Sequence, residues 1–151
     1  MTAIIGFFGA VLLGALGWFA TSFVATPIRS FFDLRKEARR QMLLFDERDV
    51  VVYLNEEGEP EDAQEAQKAR DKLSAAKRTI RDLGSQLIAF AESEPVAAMA
   101  LKILGYRARQ AGEYLIGLSE HLAAWGPEEQ RYKISAEAAL GFKRAPRGVA
   151  H

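Results

Sequence analysis

The chain has 151 residues, its 20 Lys and Arg cancel its 20 Asp and Glu, and it contains no cysteine. The balance disfavours nucleic acid as the main partner, since that role calls for a clustered positive excess. The missing thiol excludes disulfides, thiolate metal sites, iron–sulfur clusters and cysteine nucleophiles.

From Met1 to Ile28 there is no Asp, Glu, Lys or Arg, and the run is rich in Phe, Leu, Ile, Val, Ala and Gly. About 20 such residues in a helix cross about 30 Å of hydrocarbon, so residues 3–28 are long enough for one spanning helix with some tilt. A secretory signal would open with Lys or Arg and carry an apolar core of about 7–15 residues, and this segment does neither. Outside the anchor, roughly 120 residues remain, enough for one small domain with its own core.

Orientation follows from the flanks. Arg29, Arg35, Lys36, Arg39 and Arg40 follow the apolar run and no basic residue precedes it. The positive-inside rule then places the N-terminus outside and the C-terminal domain in the cytoplasm. Ala- and Arg-rich usage fits a bacterial source, which makes a bacterial inner membrane the expected location.

Within the anchor, Ala3, Gly6, Ala10, Gly14, Gly17 and Thr21 recur at steps of three and four and form one stripe of small side chains. Gly6, Ala10, Gly14 and Gly17 are therefore candidate helix-pairing residues, because in lipid close backbone approach favours association more than apolar contact does. Trp18 and Phe23 point elsewhere and are expected to meet lipid. Pro27 stands at the expected exit from the bilayer, where its ring can kink or restart the helix.

Residues 29–45 read as a basic amphipathic helix, with Phe31, Leu34, Ala38, Met42 and Phe45 on one face. From 29 to 41, five basic residues stand against Asp33 and Glu37, so Arg29, Arg35, Lys36, Arg39 and Arg40 are candidates for anionic-lipid contact. The same face could instead pack into the soluble bundle, and the pattern does not choose. Residues 46–61 form an acidic loop. From Asp46 to Asp62 there are eight acids against the single base Arg48, without calcium-loop spacing. Val50–Leu54 is a short β-branched run with no second strand to pair with.

The cytoplasmic domain, 62–142, is predicted to be helical. Ala66, Ala69, Leu73, Ala76, Ile80, Leu83, Leu87 and Phe90 form a heptad seam of coiled-coil type, facing another helix in the bundle or on another chain. Leu73, Ile80, Leu83, Leu87 and Phe90 carry most of its expected burial. Pro95 suits the first position of a short helix with Val96, Met99, Ala100 and Ile103 inward and Gly105 as its terminator. Ala108, Ala111, Leu115, Leu118 and Leu122 mark the next helix, from about 107 to 124. A last one runs from about 127 to 140, with Glu128 and Glu129 at its positive end and Gly141 beyond it. Lys143–His151 is expected to be a disordered basic tail.

No spacing supports catalysis. There is no phosphate loop, nucleophile elbow, H-E-x-x-H or Glu-x-x-His. His121 with Tyr114, Glu113 and Glu120 resembles a proton-transfer set only loosely, and Lys72, Lys77, Arg78 and Arg81 read as the solvated face of a long helix. The fold class is thus all-α: a spanning helix at 1–28, a juxtamembrane amphipathic helix and a small bundle. The expected function is a single-pass, non-enzymatic interaction or scaffold protein with no cofactor, metal or small-molecule substrate. Its expected partners are membrane lipids and either another transmembrane protein or a second copy of itself. An accessory subunit of a membrane complex and a pore-forming protein are the alternatives.

Overall fold

The structure, a computed structural model, describes residues 2–44, 63–123 and 126–142, and side chains from residue 9 onward in the first of these. Every element among them is helical: α1 (Thr2–Ala20), a π-helical turn (Thr21–Ala25), α2 (Thr26–Leu44), α3 (Ala63–Ser93), α4 (Pro95–Ile103), α5 (Ala108–His121) and α6 (Pro127–Ala139). The acidic loop, the Val50–Leu54 run, Phe45 and the basic tail lie outside the described residues.

α1, the π turn and α2 form one continuous rod. The sequence left Pro27 free to kink or restart the helix, and it does not interrupt it. The wide turn comes immediately before it, and the Thr26 amide reaches back five residues to the Thr21 carbonyl. Proline lacks an amide and its ring would strike the carbonyl one turn back, so a widened turn just upstream is the local way to keep the rod helical. The stretch Gly9–Leu44, 36 residues, contains a window long and apolar enough to cross a membrane. Val11, Leu12, Leu13, Leu16, Trp18 and Phe19 all stand exposed on it.

The second half of the rod belongs to the bundle. Phe31, Ala38 and Met42 are buried and Leu34 packs against the same core, so α2 packs into the bundle along the face that the sequence marked. Along α3 the heptad seam is buried from Ala69 through Ala76, Ile80, Leu83, Leu87 and Phe90, with Leu73 half-buried. Its main partner is α5 of the same chain, which buries Ala108, Ala111, Leu115 and Leu118. α6 covers the other side of α5 through Ala136 and Ala139, and α2 crosses α3.

Where α3 and α5 meet, two glycines allow their backbones to touch. A Cβ on Gly112 would stand 2.5 Å from the Gly84 carbonyl oxygen, and one on Gly84 would stand 2.8 Å from the Gly112 carbonyl oxygen. A real Cβ needs more room than either gap, so glycine at both positions permits this crossing.

α4 departs from the sequence expectation. Its inward residues are Ala97 and Leu101, while Val96, Met99 and Ile103 point out, at 51%, 68% and 81% exposed. Apart from Lys102 the helix is apolar all round, so its period shows that it is helical without showing which side faces the core. Its end conforms to the expected pattern: Gly105 takes φ +90°, its amide bonds Lys102 O and the Tyr106 amide bonds Leu101 O. That pair of reversed bonds satisfies the last carbonyls of the helix.

Candidate membrane-facing site

The place where the exposed half of the rod gives way to the buried half brings together α4, the end of α3 and the π turn. Two threonines lie along the rod here. Thr21 Oγ1 donates to Gly17 O at 2.8 Å and Thr26 Oγ1 donates to Thr21 O at 3.1 Å, so both hydroxyls are satisfied by carbonyls of the rod itself. A cleft of about 450 Å³ separates the rod from the end of α3. Ser22, Thr26, Ser30, Gln86, Ser93 and Glu94 line it, with Pro27, Leu34, Ala89 and Phe90. Apolar exposure on the rod above and hydroxyls at this level mark a change of environment. α4 packs beside the π turn, α2 and α3 at the same level.

Below it, the rod is locked to the end of the chain's last helix. α6 finishes as α4 does, with Gly141 at φ +67°, its amide on Ala138 O and the Phe142 amide on Glu137 O. Ala139 O accepts from the Arg107 amide. Leu140 O and Gly141 O remain, and Arg35 serves both, through Nε at 2.7 Å and Nη2 at 3.4 Å. A guanidinium at a helix C-terminus also meets the negative end of the helix dipole. It sits over the Phe142 ring at 4.2 Å and near Tyr106 at 5.6 Å. Arg39 adds an ion pair to Glu137 at 2.5 Å and a second cation over Phe142 at 5.0 Å.

Arg35→Met should therefore cost about 1–3 kcal/mol, the range for a hydrogen bond to a charged group and for one buried acceptor, on Leu140, left bare. Thermal unfolding of the full chain in mild detergent reads this loss. Arg35→Lys should recover only part of it, because an ammonium lacks the planar fork that reaches two carbonyls and stacks on a ring. Full recovery by lysine would mean that charge alone holds the joint.

The residues singled out in the sequence distribute as follows. Ala10 is exposed and a Cβ on Gly14 or Gly17 would meet nothing within 4 Å, so that part of the small-residue stripe is open within the chain; Gly6 precedes the first described side chain. Of the five basic residues, Arg29, Lys36 and Arg40 are exposed, whereas Arg35 and Arg39 turn to α6. Ile80, Leu83, Leu87 and Phe90 come together in the core with Phe31. Sequence reasoning missed the Gly84–Gly112 contact, the aromatic seat of Arg35 formed by Tyr106 and Phe142, and the outward face of α4. Only the last left a signal, a helix without a polar side.

Elsewhere the polar groups serve packing. His121 stacks on Tyr132 of α6, ring centroids 5.4 Å apart and 13° from parallel, and Glu113 pairs with Arg109 at 3.2 Å. Among the described residues no three of His, Cys, Asp and Glu gather as a metal set. No protein-family model matches the chain, and comparison with curated proteins and with solved structures yields no match either.

Proposed function

We propose that this chain is a single-pass, membrane-anchored helical interaction module that performs no chemistry of its own. One observation carries the reading: a continuous rod has an exposed apolar first half and a second half that is an integral part of the bundle's core. In water that first half would leave Leu13, Leu16 and Trp18 hydrated, a cost that a bilayer removes. An anchor joined without a flexible linker transmits its position and orientation to the bundle.

The bundle lies on the cytoplasmic side and the N-terminus outside, a direction set by Arg29, Arg35, Lys36, Arg39 and Arg40. Arg29, Lys36 and Arg40 are the exposed ones that can meet anionic headgroups, Arg40 while paired with Glu37 at 3.5 Å. The stripe through Gly14 and Gly17 supplies the face for a second spanning helix, in a second copy or in another membrane protein. Confinement to the membrane raises the effective concentration of even a weak contact.

Two measurements test this. The full chain should stay with membranes after alkaline carbonate extraction, and a cysteine introduced by Ser85→Cys on the exposed side of α3 should react with an impermeant maleimide only after cells are broken. Recovery in the soluble fraction removes the anchor, and labelling in intact cells reverses the orientation. In mild detergent, sedimentation should show self-association or a stoichiometric partner, and Gly14→Ile should reduce it. A monomer unaffected by that substitution ends the pairing role of the stripe.

A further inference from the structure

We propose that α4 is a second, interfacial membrane contact: its outer face, Val96, Met99, Ile103 and Leu104, seats against lipid at the level where the rod leaves the hydrocarbon. The proposal rests on the anchor reading above and extends it from one helix to two.

Four observations carry it. First, the face is large, apolar and uncovered, with Met99 68%, Ile103 81% and Leu104 64% exposed. Val96, Met99 and Ile103 recur at steps of three and four, so they form one stripe. The opposite side, Ala97 and Leu101, is buried in the bundle. A helix apolar on every side is stable only when every side has an apolar neighbour, and the protein supplies one for half of it.

Second, α4 is at the right height. It packs beside Thr21–Ala25, and about 20 residues counted from the start of the apolar run bring the hydrocarbon boundary to that same turn. α4 thus stands beside the end of the exposed apolar stretch of the rod that includes Phe19 and Phe23. That proximity favours lipid over a separate protein.

Third, the charges suit a phospholipid surface. Pro95 to Gly105 contains no acid, and its one charge is Lys102, exposed beside the stripe. A lysine there can lay its stem along the apolar face and extend its ammonium to a phosphate. Fourth, short length is no obstacle, because the anchor already holds α4 at the interface and little entropy remains to be lost on seating.

The absence of native cysteine makes the test direct. The full chain is reconstituted in phosphatidylcholine–phosphatidylglycerol vesicles with single labels at Met99→Cys, Ile103→Cys, Leu13→Cys and Ser85→Cys, each carrying an environment-sensitive fluorophore. Labels at 99 and 103 should emit to the blue of that at 85, lose quenching by aqueous iodide, and gain quenching by lipids brominated near the headgroup end of the acyl chain. The label at 13, read with lipids brominated near the methyl end of the acyl chain, reports the anchor alone. If it escapes lipid quenching, the anchor reading itself falls. If it is lipid-quenched while 99 and 103 remain open to iodide, α4 faces water and the proposal is overturned with the anchor intact. Protection at 99 and 103 from both iodide and lipid quenchers would put protein there, a second copy or another chain, and overturn it equally.

Discussion

Phe31→Ala is expected to destabilise the bundle by about 3–5 kcal/mol, the range for truncating a fully buried phenylalanine, while leaving the protein in the membrane. Phe31 is 0% exposed. It holds three parts of the fold at one point: its own helix through Phe32, the end of α3 through Phe90 at 5.8 Å, and the α4–α5 connection through Tyr106 at 5.6 Å. The ring removed thus leaves a void where α2, α3 and the α4 exit converge, and rigid helices converging from three directions can close it only in part. Against a total stability of about 5–15 kcal/mol for an ordinary domain, the loss is a large fraction. Loss of helical circular dichroism on heating in mild detergent should come at markedly lower temperature. Carbonate-resistant membrane association should persist, because the apolar surface that carries it lies upstream. Simultaneous loss of both would mean that rod and bundle insert as one cooperative unit.

Gly112→Ala should also destabilise, against the local preference of the helix. Alanine is favoured over glycine in a helix interior by about 1 kcal/mol, and at an open site that gain would show. Here the new methyl group would meet the Gly84 carbonyl oxygen at 2.5 Å and Ile88 Cγ1 at 2.7 Å. The side chain can turn aside but the carbonyl belongs to a helix backbone, so α3 and α5 must separate along their main contact. Overpacking of this kind costs about 1–3 kcal/mol, which outweighs the propensity gain. Gly112→Leu should exceed that range. Gly117→Ala offers the contrast. Its new atom would strike the Tyr132 ring at 2.5 Å, and a ring on the outer helix can swing where a backbone cannot, so the penalty should be smaller. Equal penalties at 112 and 117 would show that the crossing is looser than the Gly84–Gly112 contact implies.

How much of this was legible beforehand depended on whether a pattern had one solution or two. The α3 seam was readable from Ala69 to Phe90 because apolar residues occupy one side and Arg70, Lys72, Arg78, Arg81 and Asp82 keep to the others; only one face can then turn inward. α5 was readable for the same reason. Gly105 and Gly141 announced their helix ends, since only a residue without a Cβ takes positive φ there at little cost. α4 had two solutions. With Val96, Met99 and Ile103 on one side and Ala97 and Leu101 on the other, periodicity gave no direction, and the larger side chains drew the wrong inference. The basic run was ambiguous in another way. A phosphate outside the protein and a row of bare carbonyls inside it attract a guanidinium alike, so Arg35 and Arg39 looked like Arg29, Lys36 and Arg40 until α6 arrived beside them.

What the sequence determined by itself was therefore local and one-dimensional: an apolar run long enough to cross a bilayer, the helices that follow, their ends, and the faces that charge rules out of the core. Those features depend on side-chain period, caps and hydrophobicity, all of which act within a few turns. The tertiary structure decided what depends on residues far apart in the chain. It matched Gly84 to Gly112, placed Arg35 on carbonyls 105 and 106 residues away, brought Phe31 against Phe90 and Tyr106, and turned the larger face of α4 outward at the foot of the rod. Each of these is a contact between surfaces that are locally complete. Nothing in either partner alone reports the other, which is why a helix long and apolar enough to cross a bilayer could be read from 28 residues while its joint to the bundle could not.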